Sequence, residues 1–306
     1  MQPMNDENIE LIVKKELIND VRFLNKYFEQ INESLRLGGI FKGNVETYSV
    51  RSSRILKKYP LPFNRIYLFV DIFSVRISPK LPFIKRLYFN ITKGKGRVLS
   101  KAETYGRLYS CGFEIVDEEY KNNKIYFTAK KIKEPLYPKS PSYGFLIKLK
   151  RVGKNGKPIK VYKFRTMHPF SEYLQEYVFK KNNLQDGGKI KDDFRISPEG
   201  RFLRKFWIDE LPMFYNLLKG EMKLFGVRPL SQHYFSLYTK ELQELRVKTK
   251  PGLIPPFYVD MPVTLEEIIA SEINYLRAYQ ERPYHTDFSY FFKSIYNILI
   301  KNKRSG

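Results

Sequence analysis

The residues of this chain best suited to chemistry are two adjacent carboxylates, Asp209 and Glu210, set in a cationic frame. Arg195, Arg201, Arg204 and Lys205 precede them, and Arg228 follows. Two acids among guanidinium and ammonium groups suit a site that handles phosphate. The cations offset the substrate's charge while one acid attacks or binds a metal. Leu211 and Pro212 come next, so the same acids could instead cap a helix and complement its dipole. Farther upstream, Lys163 and Arg165 point to opposite faces of a strand by two-residue alternation. Either could reach a phosphate or remain an edge charge.

Positioning these groups falls to a short run of helices and one hairpin. Ser197 followed by Pro198 predicts a helix start, with Phe202 and Phe206 on one face and Arg201, Arg204 and Lys205 largely on another. A second helix is predicted from Asp209, whose side chain would cap it. Leu211, Phe214, Tyr215 and Leu218 follow at helical spacing, and Gly220 stops it. The acids would then lie at a helix N-terminus, where free N–H groups favour anions. Upstream, strands over 143–149 and 159–164 flank a turn at 154–157, and 171–179 reads as helix. The polar stretch 182–191, with Gly187 and Gly188, reads as a loop near the site. Helical patterns cover 231–247, 265–279 and 288–300; the rings of the last (Phe288, Tyr290, Phe291, Phe292, Tyr296) suggest a core-packing face.

The order of motifs resembles that of the bacterial sugar transferases, the monotopic polyprenyl-phosphate phosphoglycosyl transferases. Arg151-Val-Gly-Lys-Asn-Gly156 and Lys163-Phe-Arg-Thr-Met167 come first. Arg195-Ile-Ser-Pro-Glu-Gly-Arg-Phe-Leu-Arg204, Asp209-Glu-Leu-Pro212, Asn216 to Met222 and Gly226-Val-Arg-Pro229 follow in the family's order. The resemblance implies a magnesium-dependent enzyme that moves a phosphosugar from a UDP-sugar to a polyprenyl (undecaprenyl) phosphate at the cytoplasmic membrane face. It implies that Asp209 is the nucleophile, forming an aspartyl-phosphosugar, and that Glu210 positions Mg²⁺ or acts as base. Arg228 would grip phosphate, with Arg204, Arg201, Lys163, Arg165 and Arg195 as further substrate-binding groups. Two departures stand out. Ile254-Pro255-Pro256 replaces the family's threonine and glycine after Lys250-Pro251-Gly252. The place of the family's hydrophobic re-entrant helix holds 120–140, polar and lysine-rich.

The 306 residues suffice for one large or two ordinary domains. Fifty-five basic against 32 acidic residues give a net charge of +23, which argues for an anionic partner: phosphorylated substrates, a membrane surface or nucleic acid. No nucleic-acid motif accompanies the charge, so nucleic acid is not expected as a partner. Cys111 is the single cysteine, which excludes an intrachain disulfide. His168, His233 and His285 show no ligand spacing. The polar amino terminus predicts no signal peptide, and no 18-residue apolar run predicts a transmembrane helix.

The fold class expected is α/β (α+β). A small N-terminal α/β accessory domain (1–134) precedes a linker (135–141) and a compact helix-rich transferase domain with short strands (142–300). Within the first, 5–37 reads as helix broken by Gly38-Gly39, 40–47 as a strand and 100–110 as a helix capped by Ser100. Strand-like runs at 113–116 and 125–129 meet at a turn at Asn122-Asn123. This order looks like the closing half of a Rossmann-type methyltransferase, without the glycine-rich loop that would hold its cofactor. Residues 59–92 interrupt it with rings and bases around a lone acid, Asp71, in pieces too short to span a bilayer but suited to its interface. A solvated loop packing its rings on the domain is the alternative. Membrane contact through this insertion, a partner protein, a homo-oligomer, or a reaction without lipid all stay open. So does a catalytically silent scaffold, although the survival of Asp209, Glu210 and Arg228 counts against it.

Overall fold

The computed structural model of the chain describes residues 9–81, 84–137, 143–182 and 193–300. The chain divides into two compact units. The first holds the residues up to Gly144 together with segments 167–182 and 193–197; the second holds 145–166 and the chain from Pro198 onward. A single boundary at 135–141 was the expectation. Instead the chain returns to the first unit after its first hairpin. The linker from 138, most of the 182–191 loop and the tail beyond 300 lie outside the described residues.

The first unit is built on a mixed sheet of β1 (Ile9–Leu17), β2 (Leu35–Val45), β3 (Phe113–Lys121) and β4 (Lys124–Lys131), in the order β1-β2-β4-β3. Helix α1 (Leu24–Ser34) makes the crossover that parallel β1 and β2 require. The helix expected over 5–37 is therefore half right. Its apolar positions at 9, 12, 13 and 17 fit either period, and parallel pairing of Leu11, Ile12 and Val13 with Ile40, Phe41 and Lys42 decides for strand. β2 also runs through the expected Gly38-Gly39 break, which becomes a register shift instead. The β3–β4 turn at Asn122-Asn123 is left-handed at both residues, as short-side-chain turn residues tolerate.

The core of this unit is aromatic. Phe41 lies 5.5 to 6.0 Å from the rings of Phe28, Phe113 and Phe127, all essentially inaccessible. The insertion forms helices α2 (Tyr48–Lys58), α3 (Phe63–Ile72) and α4 (Ile84–Thr92), with α3 prolonged by tighter and wider turns to Lys80. Helix α5 (Lys101–Ser110) starts as expected, the Ser100 hydroxyl accepting from the Glu103 N–H. The returning segment carries α6 (Gln175–Asn182). It buries Phe170, Leu174 and Val178, and Tyr177 meets the Tyr105 ring edge-on.

The second unit begins with the antiparallel hairpin of β5 (Leu146–Val152) and β6 (Pro158–Phe164). Next come α7 (Pro198–Lys205), a 3-10 turn (Ile208–Met213) and α8 (Phe214–Leu218). Short parallel strands β7 (Lys223–Phe225) and β8 (Gly252–Ile254) bracket α9 (Gln232–Ser236) and α10 (Lys240–Val247). The chain closes with α11 (Phe257–Asp260), α12 (Leu265–Glu281) and α13 (Pro283–Leu299). Thr264 and Glu267 form a capping box at the start of α12. Phe225, Val227, Leu242, Tyr275 and Leu276 form the main core, and Val161, Met213 and Met222 a smaller one under the hairpin. Helix α13 divides its rings: Tyr290 and Phe291 pack on the core, whereas Phe288, Phe292 and Tyr296 are exposed. The whole is α/β. No helix among the described residues is long and apolar enough to cross a membrane.

Candidate active site

The acid pair sits on the 3-10 turn, not at the start of an α-helix. Pro212 has no N–H to give to the carbonyl four residues back, so the segment tightens until α8 takes over at Phe214. The turn is entered through Trp207 in the left-handed conformation, and no side chain caps it, Asp209 included. Gly220, with φ +68°, ends α8 as expected.

This geometry gives the two carboxylates opposite surroundings. Glu210 takes the cations: Lys163 Nζ lies 2.6 Å and Arg228 Nη2 3.2 Å from its Oε1. Burial pushes its carboxyl upward, but Lys163 and then Arg228 outweigh burial and hold it below the ordinary glutamate value. Asp209 is only 9% exposed and forms no ion pair among the described residues. Burial and the neighbouring Glu210 charge push its carboxyl up, and the more distant Lys163 and Arg204 only partly offset them. Adjacent acids driven apart in this way are what a site needs when one group must stay ionised and another must react.

The cations divide as well. Lys163 on β6 and Arg228 meet at Glu210, and Arg204 donates from Nε to the Thr166 hydroxyl at 2.9 Å while acting on Asp209 at longer range. Arg165 lies just past β6, its backbone N–H donating to Phe145 O; of the alternating pair, Lys163 makes the contact to Glu210. Arg201 is exposed on α7 and forms no ion pair among the described residues. Arg195, expected to bind substrate, is held within its own unit. It belongs to the first unit, 5% exposed, and forks Asp193 from Nε and Nη2 at 2.9 and 2.7 Å while Nη1 reaches Gln175. A guanidinium so enclosed serves the fold.

Other residues position the site without carrying a signal that spacing alone reveals. Asn216, fully buried, accepts from the Tyr162 N–H at 3.1 Å and donates to Lys160 O at 2.8 Å. It thereby ties α8 to β6 and sets Lys163 opposite Glu210. The Arg228 carbonyl accepts from Arg246, which is buried in an ion pair with Glu272. A Cβ at Gly200 would meet Thr166 O at 2.0 Å, so only glycine lets α7 lie this close to the end of the hairpin. Beside the acids opens a cleft of about 270 Å³ whose wall includes Arg151, Lys163, Glu210, Arg228, Tyr234 and Leu253. Burial and the nearby Arg228 charge lower the affinity of Arg151 for its proton, the response expected where two cations face a site shaped for an anion.

Residues 137–301 match the model of a family described as bacterial sugar transferase. Galactosyl transferase CpsE of Streptococcus agalactiae is 35% identical over 130 residues, covering 41% of this chain and 29% of that protein. The uncharacterized sugar transferase EpsL of Bacillus subtilis is 43% identical over 103 residues, 34% of this chain and 45% of that one. A UDP-glucose:undecaprenyl-phosphate glucose-1-phosphate transferase of Klebsiella pneumoniae is 38% identical over 105 residues, 34% of this chain and 20% of that one. The matches thus span less than half the length of these relatives.

Proposed function

The chain belongs to the bacterial sugar transferase family, and from that membership we propose that it is a phosphoglycosyl transferase. It would move a sugar phosphate from a nucleoside diphosphate sugar, a UDP-sugar, to polyprenyl phosphate and so begin a lipid-linked glycan at the cytoplasmic face of a membrane. The observation that carries the reading is the divided acid pair: Glu210 neutralised by Lys163 and Arg228, Asp209 buried beside it with no ion pair among the described residues. The name of the Klebsiella relative, which pairs UDP-glucose with undecaprenyl phosphate, supports both substrates.

In the first displacement an Asp209 carboxylate oxygen attacks the sugar-bearing phosphorus. The bond from that phosphorus to the bridging oxygen breaks, and nucleoside monophosphate leaves with the bond pair. In the second, a phosphate oxygen of the acceptor attacks the same phosphorus, the acyl-phosphate bond breaks, and the Asp209 carboxylate returns. Two displacements through one covalent intermediate make the kinetics ping-pong. Raised proton affinity marks Asp209 as a stronger base than an ordinary surface carboxylate once ionised. Lys163, Arg228 and Arg151 offset the diphosphate charge that would otherwise repel it. The exposed apolar groups beside the turn, Phe202, Phe206, Leu211 and Leu218, support an acceptor with a hydrocarbon tail.

Magnesium fits this donor set. No cluster of three or more metal-binding side chains occurs among the described residues. Mg²⁺ typically takes one or two carboxylates and completes its shell with phosphate and water. Asp209 and Glu210 would hold it, and when bound it would neutralise phosphate charge. The test is nucleoside monophosphate release from a panel of UDP-sugars with Mg²⁺, beside an Asp209→Asn control. Release that requires Asp209 is expected; none from any sugar with folded protein would overturn the reading.

A further inference from the structure

Helix α3 is built largely inside out, and α4 beside it in sequence also exposes apolar residues. Along α3 and its continuation, Phe63, Ile66, Val70, Phe73 and Ile77 recur at helical spacing on one stripe, and all are exposed, from 65% at Phe63 to 36% at Ile77. Several polar residues of the same segment turn inward, while Arg65 and Ser74 stay exposed. Asn64, Arg76 and Ser78 are buried. Arg51 forks Asp71, Nε 2.8 Å and Nη2 2.7 Å from its oxygens, and the Arg76 guanidinium lies 4.2 Å from the centre of the Tyr48 ring. Helix α4 adds to the apolar surface, with Ile84, Leu87 and Ile91 exposed beside Lys85 and Arg86, and only Tyr88 of that helix is buried. A helix facing water does the reverse, and a continuous apolar face of this kind marks a partner.

Charge identifies the partner. Between Arg51 and Arg97 the only acid is Asp71, which Arg51 already neutralises. Lys57, Lys58, Arg65, Lys85 and Arg86 are exposed around the apolar face. A second copy of this surface would set these cations against their like. An anionic bilayer satisfies both features, since its headgroup phosphates take the cations and its acyl boundary takes the rings. Neither helix is long enough to cross, so both must lie in the plane of the interface.

We infer that α3 and α4 form an in-plane seat on an anionic lipid bilayer, with Phe63, Val70, Phe73, Leu87 and Ile91 immersed and the lysines and arginines at headgroup level. The seat lies outside the residues that match the family model. It rests on the lipid-acceptor reading above for its purpose, and on the surface alone for its chemistry.

Flotation of the full chain with vesicles of phosphatidylcholine and phosphatidylglycerol, against phosphatidylcholine alone, tests it. The chain should float with the mixed vesicles. A Phe63→Ser, Val70→Ser, Ile91→Ser variant should bind at least about tenfold more weakly, from the lost apolar immersion. A Lys57→Glu, Lys85→Glu, Arg86→Glu variant should lose roughly a hundredfold or more. These positions are exposed, so thermal melting should match the parent, and nucleoside monophosphate release from the soluble donor should be unchanged. A serine variant that floats like the parent, or a parent that stays in the aqueous phase with both vesicles, overturns the inference. So does a change in sedimenting mass without a change in flotation, which would assign the face to a second copy. Failure of nucleotide release in a parent that floats would count against the proposed reaction and leave the seat standing.

Discussion

Asp71 and Asp209 are both enclosed carboxylates on helical turns with arginine nearby, and they end in opposite states. Asp71 receives two hydrogen bonds from one guanidinium, which in turn holds Arg51 above its ordinary proton affinity. Nothing is left for it to do but hold α2 to α3. Asp209 stands near more cations, yet Lys163 and Arg228 pair with Glu210, and Lys163 and Arg204 offset the burial of Asp209 only in part. Burial alone does not separate a structural acid from a reactive one. What separates them is which neighbour the cations reach first.

The largest effect should come from Asp209→Asn, which should lower nucleoside monophosphate release by about a thousandfold or more, since it removes the nucleophile. The same change should not lower stability. The carboxyl of Asp209 is shifted up on folding, so its contribution is favourable below the unfolded value and is lost as pH rises through the folded one. At neutral pH the ionised form therefore costs stability, and asparagine removes that cost. Thermal melting of the variant at pH 7 should equal or exceed the parent's. Asp71→Asn should do the reverse, costing about 1.5 kcal/mol in unfolding free energy by weakening the two hydrogen bonds from Arg51, which keeps only its longer contact to Glu46, with nucleotide release by the folded protein unaltered. If both variants destabilise alike, the distinction between the two acids fails.

Smaller changes sharpen the contrast. Arg228→Lys should reduce kcat/KM roughly tenfold to a hundredfold, because lysine cannot present the same fork to phosphate and to Glu210. Lys163→Met should move the acid limb of the kcat/KM profile to higher pH, since Lys163 lowers the proton affinity of both acids. An unmoved limb would mean that another group titrates there.

The hairpin of β5 and β6, the Ser100 cap, the Asn122-Asn123 turn and the Gly220 stop were legible in the sequence, because each depends on residues a few positions apart. The acid pair was legible for the same reason, and so was Arg228 from its expected cationic frame. Its division was not, since Lys163 and Arg228 come to Glu210 from 47 and 18 residues away. Asn216 appeared as a motif letter without a role until its side chain was found holding β6. The rings and bases of 59–92 pointed to an interface without showing that α3 turns its apolar stripe outward. The buried Asn64, Arg76 and Ser78 reversed the usual answer. Residues 9–17 misled because four apolar positions fit both helix and strand, and only the partner strand chose between them. The ion pair of Arg195 with Asp193, two residues away, was not anticipated.

The central claim is that Asp209 carries the phosphosugar, and intact-protein mass spectrometry tests it most directly. The protein is mixed with a UDP-sugar and Mg²⁺ without lipid acceptor, quenched, and digested to locate any adduct. The account predicts a phosphosugar adduct on the peptide holding Asp209, absent from Asp209→Asn and discharged when polyprenyl phosphate is added. Turnover to lipid product by the Asp209→Asn variant, or an adduct on another residue, would contradict it.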